Sequence, residues 1–161
     1  MPSPSDPRSH EERRGEYLAS ADSARVSLDT VHGFLSTSYW AAGIPRETVR
    51  RSLEHSLVFG IYHDRDGQAA FARVVSDRAT FAYLCDVFVV EAHRGRGLGE
   101  WLVDFLQRHP ELQGLRRWSL ATRDAHGLYR KLGWTELANP ARFMERHFPD
   151  VYASVPSPGG G

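Results

Sequence analysis

The sequence predicts a chain of the α/β class (α+β), built on a central sheet of about six or seven strands flanked by about four helices. Three observations carry this. Two apolar runs, Leu57 to Tyr62 and Gln68 to Val75, are joined by the turn His63-Asp64-Arg65-Asp66-Gly67, the pattern of a hairpin. Phe81 to Val90 is almost unbroken apolar and rich in β-branched and aromatic residues, which reads as a strand buried on both faces. Directly after it, a turn of arginines and glycines leads into Leu98, Trp101, Leu102, Phe105 and Leu106 at helical spacing, and Pro110 stops the run.

The remaining elements follow in order. Met1 to Gly15 is rich in Pro, Ser, Arg and Glu and reads as a disordered lead. A short first strand is expected from Tyr17 to about Ser23. Ser27 or Asp29 caps a first helix whose Leu28, Val31, Phe34 and Leu35 share a face. A loop with two large aromatics, Tyr39 and Trp40, follows, and Pro45 introduces a second helix from Arg46 to about Glu54. The hairpin, the central strand and the central helix come next. Trp118 to Thr122 reads as a fifth strand. Asp124 looks like the cap of a fourth helix with Ala125, Leu128, Tyr129 and Leu132 on one stripe, closed by Gly133. Trp134 to Leu137 and Phe143 to Arg146 read as sixth and seventh strands. The expected organisation is a lead over residues 1–15, one domain over 16–150 and a flexible tail over 151–161.

Composition narrows the function classes. The 161 residues suit one domain with its own core. Lys plus Arg equals Asp plus Glu at 20 each, so the formal net charge is zero, which argues against a nucleic-acid partner or an anionic membrane surface. No stretch reaches the roughly 18 apolar residues of a membrane span. The N-terminus has no signal-like apolar core, and cytoplasm is the expected compartment. The histidines are scattered without ligand spacing, so no metal is expected. The single cysteine, Cys85, lies inside the central strand, where burial raises a thiol pKa and argues against a nucleophile.

The glycine turn suggests chemistry. The first turn of a helix has unpaired backbone N–H groups and the positive end of the helix dipole, a natural anion site. Gly95, Gly97 and Gly99 let backbone approach a ligand closely, and Arg94 and Arg96 add positive charge. A Walker loop needs Lys then Ser or Thr after its last glycine, but Gly99 is followed by Glu100 and Trp101. A dinucleotide fingerprint needs a third glycine where Glu100 stands. What matches is R-x-x-G-x-G at Arg94, Gly97 and Gly99, after a strand reading Asp86-Val87-Phe88-Val89-Val90. This resembles the acetyl-CoA pyrophosphate loop of the GCN5-related N-acetyltransferase (GNAT) family. A second motif of that family, N-x-x-A-x-x-L-Y-x-x-x-G-F, is matched in register at Ala125, Leu128, Tyr129 and Gly133, with Thr122 replacing the asparagine and Trp134 the phenylalanine.

The resemblance spans roughly residues 16 to 147, and it implies the fold, the cofactor contacts and the roles of Val89 and Tyr129 given next, whereas Asp86, Tyr39 and Trp40 are read from the residues themselves. The fold would be a mixed, mostly antiparallel sheet that splays after its fourth strand, with acetyl-CoA in the split. Backbone groups near Val87, Phe88 and Val89 would pair with the pantetheine arm. The amides of Arg94, Gly95, Arg96, Gly97, Leu98 and Gly99 would hold the pyrophosphate, and Thr122 and Tyr129 would line the cofactor. The reaction would be direct acetyl transfer to a primary amine, with the Val89 N–H as oxyanion donor and Tyr129 as general acid to the sulfur. Asp86, a carboxylate inside a buried strand, is the candidate base, with Glu91, His93 or a relaying water as alternatives and pairing with an arginine as the structural explanation. Tyr39 and Trp40 are candidate acceptor contacts. The acceptor is expected to be a small-molecule amine, with protein lysine acetylation or a non-catalytic acyl-CoA-binding regulator as the alternatives. Homodimerisation is left open.

Overall fold

The sheet is laid down in chain order. β1 (Glu11–Arg14), β2 (Tyr17–Ser20), β3 (Leu57–His63), β4 (Gly67–Ser76) and β5 (Phe81–Val89) pair antiparallel with one another in succession, and β6 (Arg117–Ser119) joins β5 in parallel. This is a computed structural model, and it describes residues 6–153. The helices are α1 (Leu28–Leu35), α2 (Arg46–Glu54), α3 (Leu98–Gln107) and α4 (His126–Lys131). The Ser27 hydroxyl accepts the Thr30 N–H at 3.1 Å and starts α1, as its sequence signal suggests.

Side chains alternate across the strands, so the sheet feeds two cores. On one face Val58, Phe71 and Phe88 pack with Val31, Leu35 and Val49 of α1 and α2. On the other Phe59, Ile61 and Leu84 pack with Leu102, Phe105 and Leu106 of α3. The crossover from β5 to β6 runs through α3, which places the N-terminus of that helix at the end of β5.

Four expectations are corrected. The lead is not disordered from Asp6 onward: residues 11–14 form the edge strand β1, while residues 1–5, and 154–161 of the expected tail, lie outside the described residues. Two histidines hold the lead. The His10 ring stacks on Phe105 at 4.1 Å and its Nε2–H donates to the Phe105 carbonyl at 2.9 Å, while His109 donates Nε2–H to the Pro7 carbonyl at 3.2 Å. The charges of β1 are paired: Glu12 accepts from the Trp101 indole at 3.1 Å and from Arg108 at 2.7 Å. Charged edge strands are common because they discourage further pairing.

The sixth and seventh strands expected at 134–137 and 143–146 do not form. The Trp134 indole donates to Gln107 Oε1 at 2.7 Å instead, and a turn at Pro140–Arg142 interrupts the chain between the two apolar runs. The strand expected at 118–122 ends at Ser119, leaving Leu120 to Thr122 as loop. Finally, β5 is buried on both faces only in part: Ala82, Leu84 and Phe88 are buried, but Phe81 and Tyr83 are exposed. The fourth strand of the sequence reading is β5 here, because β1 adds one in front.

Candidate active site

The sheet opens between β5 and β6. Their pairing covers only Phe81↔Arg117, Ala82↔Trp118 and Tyr83↔Ser119, while β5 runs on to Val89. The far half of β5 therefore faces a cleft whose opposite wall is Leu120 to Thr122 and α4. A cavity of about 510 Å³ occupies it, and Asp86, Val87, Thr122 and Tyr129 all line it, together with Tyr39 and Trp40 from the α1–α2 loop.

Backbone direction along β5 matters for any ligand in the cleft. The Val90 N–H donates to the Ala69 carbonyl at 2.8 Å, and Val89 pairs with Ala70 in the register. That makes Val89↔Ala70 a non-hydrogen-bonded pair, so the Val89 N–H and C=O point away from β4 and toward the cleft. Phe88 is the reverse case. It pairs with Phe71, and its ring stacks on Phe34 at 4.0 Å in the α1–α2 core, so neither its backbone nor its side chain is offered to the cleft. The expected cofactor contact at Phe88 is thus packing behind the site.

Asp86 sits at a bulge. Asp86 and Val87 together oppose the single residue Ala72 of β4, and Asp86 has φ of 56°, a left-handed conformation that aspartate tolerates better than most residues. Its carboxylate is held from two sides: Arg73 Nε donates to Oδ2 at 2.9 Å, and the Trp40 indole donates to Oδ1 at 2.9 Å. The arginine pairing weighed for this residue is present, and it coexists with a place on the cavity wall.

The glycine turn delivers an exposed loop. Gly95 and Gly97 have φ of 78° and 74°, which an L side chain adopts with strain, and Gly97 is the N-cap of α3. Arg94, Gly95, Arg96 and Gly97 are exposed, while Leu98 is buried, and a Cβ at Gly99 would come 3.8 Å from the Val89 side chain. The Arg94 side chain turns back, donating Nε–H to the Val89 carbonyl at 3.1 Å, which ties the loop to the cleft strand. The loop amides and the positive end of α3 together suit a pyrophosphate.

Tyr129 is 8 % exposed and packs edge-on against Trp134 at 5.9 Å between ring centres. Burial, and then the neighbouring Tyr39, push its phenol pKa upward, so the hydroxyl keeps its proton near neutral pH. Cys85 is likewise pushed up, to about 11, by burial, which leaves a thiol rather than a thiolate at the cavity wall.

Other assignments shift. Thr122 Oγ1 accepts the Ala125 N–H at 3.1 Å and so shapes the turn into α4, the task expected of Asp124; the N-cap itself is Ala125. His93 does not face the cleft: it is 5 % exposed, hydrogen-bonded to Tyr17 and in contact with the Asp66 carboxylate beneath the loop. Glu91 is exposed on the loop and lines no part of the cavity. Two partners escaped the sequence reading. Arg73 lies on a strand with nothing local to flag it, and Arg123, which places its guanidinium 3.8 Å over the Tyr39 ring, is visible only once the α1–α2 loop meets the turn before α4. Among the described residues no group of three or more His, Cys, Asp or Glu converges as a metal site, and no helix is long and apolar enough to cross a membrane.

Comparison with known proteins now bears on this cleft. The family profile described as "Acetyltransferase (GNAT) domain" matches residues 54–136. An assigned acetyltransferase of Gibberella zeae is 32% identical over 140 residues, which span 73% of this chain and 78% of that protein. A Xanthomonas campestris pv. campestris crystal structure assigned to the same family superposes with a TM-score of 0.83 at 48% identity, covering 88% of this chain and 100% of that one. At 20% identity and a TM-score of 0.54, a Mycobacterium tuberculosis protein solved in complex with CoA covers 70% of each chain and shares the fold. Acetyl-CoA is the co-substrate of this family, and the chain belongs to the GNAT acetyltransferases.

Proposed function

We propose that this chain moves the acetyl group of acetyl-CoA directly to a primary amine of a small molecule. The observation that carries the reading is the single cavity shared by Tyr129, Asp86, Tyr39 and Trp40, at the point where β5 and β6 part. The co-substrate fits this chain's residues. The open edge of β5 offers the Val89 N–H, and the amides of the exposed residues 94–97 lie at the positive end of α3.

Four elements of the chain then act together. The loop and the β5 edge orient the thioester. The Val89 N–H, aimed into the cleft, donates to the oxygen that gains charge as the amine nitrogen bonds to the acetyl carbon. Tyr129 donates a hydrogen bond and then its proton to the sulfur as the carbon–sulfur bond breaks. Asp86 receives the amine proton through water: each of its oxygens already accepts one hydrogen bond, and each has a second lone pair for the incoming group. Cys85 takes no part, which leaves direct transfer rather than an acyl-enzyme.

A small acceptor is favoured by how the α1–α2 loop spans the cleft. The α1–α2 loop is fastened to both walls, to β5 by Trp40 on Asp86 and to the turn before α4 by Tyr39 under Arg123. A protein substrate would need an open groove there. The zero net charge also speaks against nucleic acid or an anionic membrane as partner, and a cytoplasmic enzyme is part of the same proposal. A homodimer belongs to the same reading: Leu137, Phe143, Met144 and Phe148 are exposed on one segment that a second copy would cover, and light scattering tests it.

The test of function is release of free thiol from acetyl-CoA with a panel of small primary amines and a panel of lysine peptides. Turnover with a small amine at least tenfold above any peptide supports the reading. Preference for peptides replaces it with lysine acetylation. Binding of acetyl-CoA with no thiol released by any amine replaces it with an acyl-CoA-binding regulator.

A further inference from the structure

From Glu91 to Gly97 the chain has one buried residue, His93; the rest of that stretch is exposed. A Cβ built on Gly95 or Gly97 would meet nothing within 4 Å, so no neighbouring side chain packs against these turns of the backbone. The loop is therefore held near its two ends, by Leu98 in the α3 core and, at the other, by buried His93 together with the exposed Arg94 side chain on the Val89 carbonyl. Leu98 is an apolar anchor. His93 is a polar one, and its partners come from elements far apart in sequence.

The Tyr17 hydroxyl, on β2, lies 2.8 Å from His93 Nδ1, and Asp66 Oδ2, in the β3–β4 turn, lies 3.2 Å from Nε2. A carboxylate only accepts, so in the neutral ring Nε2 carries the hydrogen and Nδ1 accepts from the tyrosine. The tyrosine hydrogen bond on one ring nitrogen and the carboxylate contact on the other hold the imidazole from two sides. His63 completes the support, its ring 5.2 Å from His93 and 4.9 Å from Tyr17. Main-chain bonds from the His93 N–H to the Val90 carbonyl, 2.9 Å, and from the Arg94 N–H to the Glu91 carbonyl, 3.2 Å, close the turn around His93, so the chain leaves it into the loop in a set direction.

We propose that His93, clamped between Tyr17 and Asp66, is the positioning residue for the anion loop: it sets where the amides of residues 94–97 meet the CoA pyrophosphate. It touches no reacting atom. This inference rests on the reading of the loop as the pyrophosphate site. It goes further in making the loop's geometry depend on the far end of the sheet, through β2 and the β3–β4 turn.

The test is calorimetric titration of CoA into the wild type, His93→Ala, His93→Gln and Tyr17→Phe, with phosphorus NMR of the bound CoA. His93→Ala is expected to weaken CoA about tenfold, close to 1.4 kcal/mol. Its two pyrophosphate resonances should move toward their free positions while the 3′-phosphate resonance stays, a pattern that general destabilisation would not give. Glutamine can accept from Tyr17 and donate to Asp66, so His93→Gln should recover most of the loss. Tyr17→Phe removes one hydroxyl and keeps the ring, so it folds even where the alanine variant does not; a loss of about threefold with the same NMR pattern is expected.

Wild-type affinity in His93→Ala, or in Tyr17→Phe where the alanine variant fails to fold, overturns the proposal. So does an equal loss in the alanine and glutamine variants, or equal displacement of all three phosphorus resonances. A wild type that binds no CoA, or binds it with unshifted pyrophosphate resonances, is a different failure: it removes the loop reading itself.

Discussion

Replacing Tyr129 with phenylalanine isolates one oxygen atom. The ring is nearly buried and packs on Trp134, and phenylalanine keeps that packing, so folding and CoA affinity should stay close to wild type. The chemical step should not. A positioned general acid contributes about 10²- to 10⁴-fold, which is about 2.7 to 5.4 kcal/mol of barrier. The structure argues for the lower end. Burial pushes the phenol above its ordinary value, whereas an alkyl thiol ionises near about 8.5, so full proton transfer to the leaving sulfur runs uphill. The phenol's main contribution is then a hydrogen bond that strengthens as negative charge reaches sulfur. We expect a loss of about 10²-fold in the single-turnover rate, followed by stopped-flow detection of free thiol at saturating acetyl-CoA and acceptor. CoA affinity measured by calorimetry should change less than about twofold, since the deleted group acts in the transition state. An unchanged single-turnover rate would refute the role of Tyr129. A rate loss matched by an equal loss of CoA binding would refute the argument that the hydroxyl acts on chemistry alone.

Other perturbations test neighbouring parts of the account. Asp86→Asn keeps the shape and an acceptor for Trp40 or Arg73 but removes the charge; turnover should fall about 10²-fold or more with CoA affinity retained, and near-normal turnover would reassign Asp86 to structure. Gly97→Ala meets no steric obstacle, so its cost is backbone strain of about 1–2 kcal/mol at φ 74°, read as weaker CoA binding; unchanged binding would separate the loop conformation from the ligand. Deleting residues 1–14 removes β1 and the contacts of His10 and Pro7, and should lower Tm by about 5 °C or more, whereas an unchanged Tm would restore the disordered lead. The fourth perturbation is pH. His109, 1 % exposed, has its pKa lowered by burial, only partly offset by the Pro7 carbonyl. The unfolded chain then binds the proton more readily, so stability that is complete above about pH 6.5 is lost as pH falls from there through the lowered folded-state pKa. Tm followed from pH 7.5 to 5 should drop in the wild type and drop less steeply in His109→Phe; parallel slopes would contradict this.

The sequence exposed the parts of the site that depend on local backbone chemistry. A buried strand, a turn of glycines and an amphipathic helix are each written in consecutive residues, and the loop at Arg94–Gly99 falls at the end of β5 as read. Tyr129 was legible for a similar reason, its spacing from Ala125, Leu128 and Gly133 fixing its helix. What stayed hidden depends on partners distant in the chain. Nothing around Arg73 indicates that it pairs with Asp86, because a bulge in β5 makes that contact. His93 enters the sequence reading only as an alternative base, and only the fold brings Tyr17 and Asp66 to it. The lead misled because Glu11 to Arg14 is charged throughout; its order comes from Trp101, Arg108, His10 and His109, not from its own pattern. The C-terminal runs misled in the opposite direction, since short apolar stretches suit a strand or a packed loop equally well, and Pro140 with the Trp134–Gln107 bond decided for the loop.

The central claim is that the cleft between β5 and β6, with the loop at its end, takes acetyl-CoA. Thermal unfolding with and without acetyl-CoA, with ATP and NAD as controls, tests it most directly. At one hundred times its dissociation constant the ligand should add about 2.7 kcal/mol, a rise in Tm of roughly 5 to 10 °C for a domain of this size. That rise is expected with acetyl-CoA, and none of comparable size with ATP or NAD. No rise with acetyl-CoA, or an equal rise with either control, would contradict it.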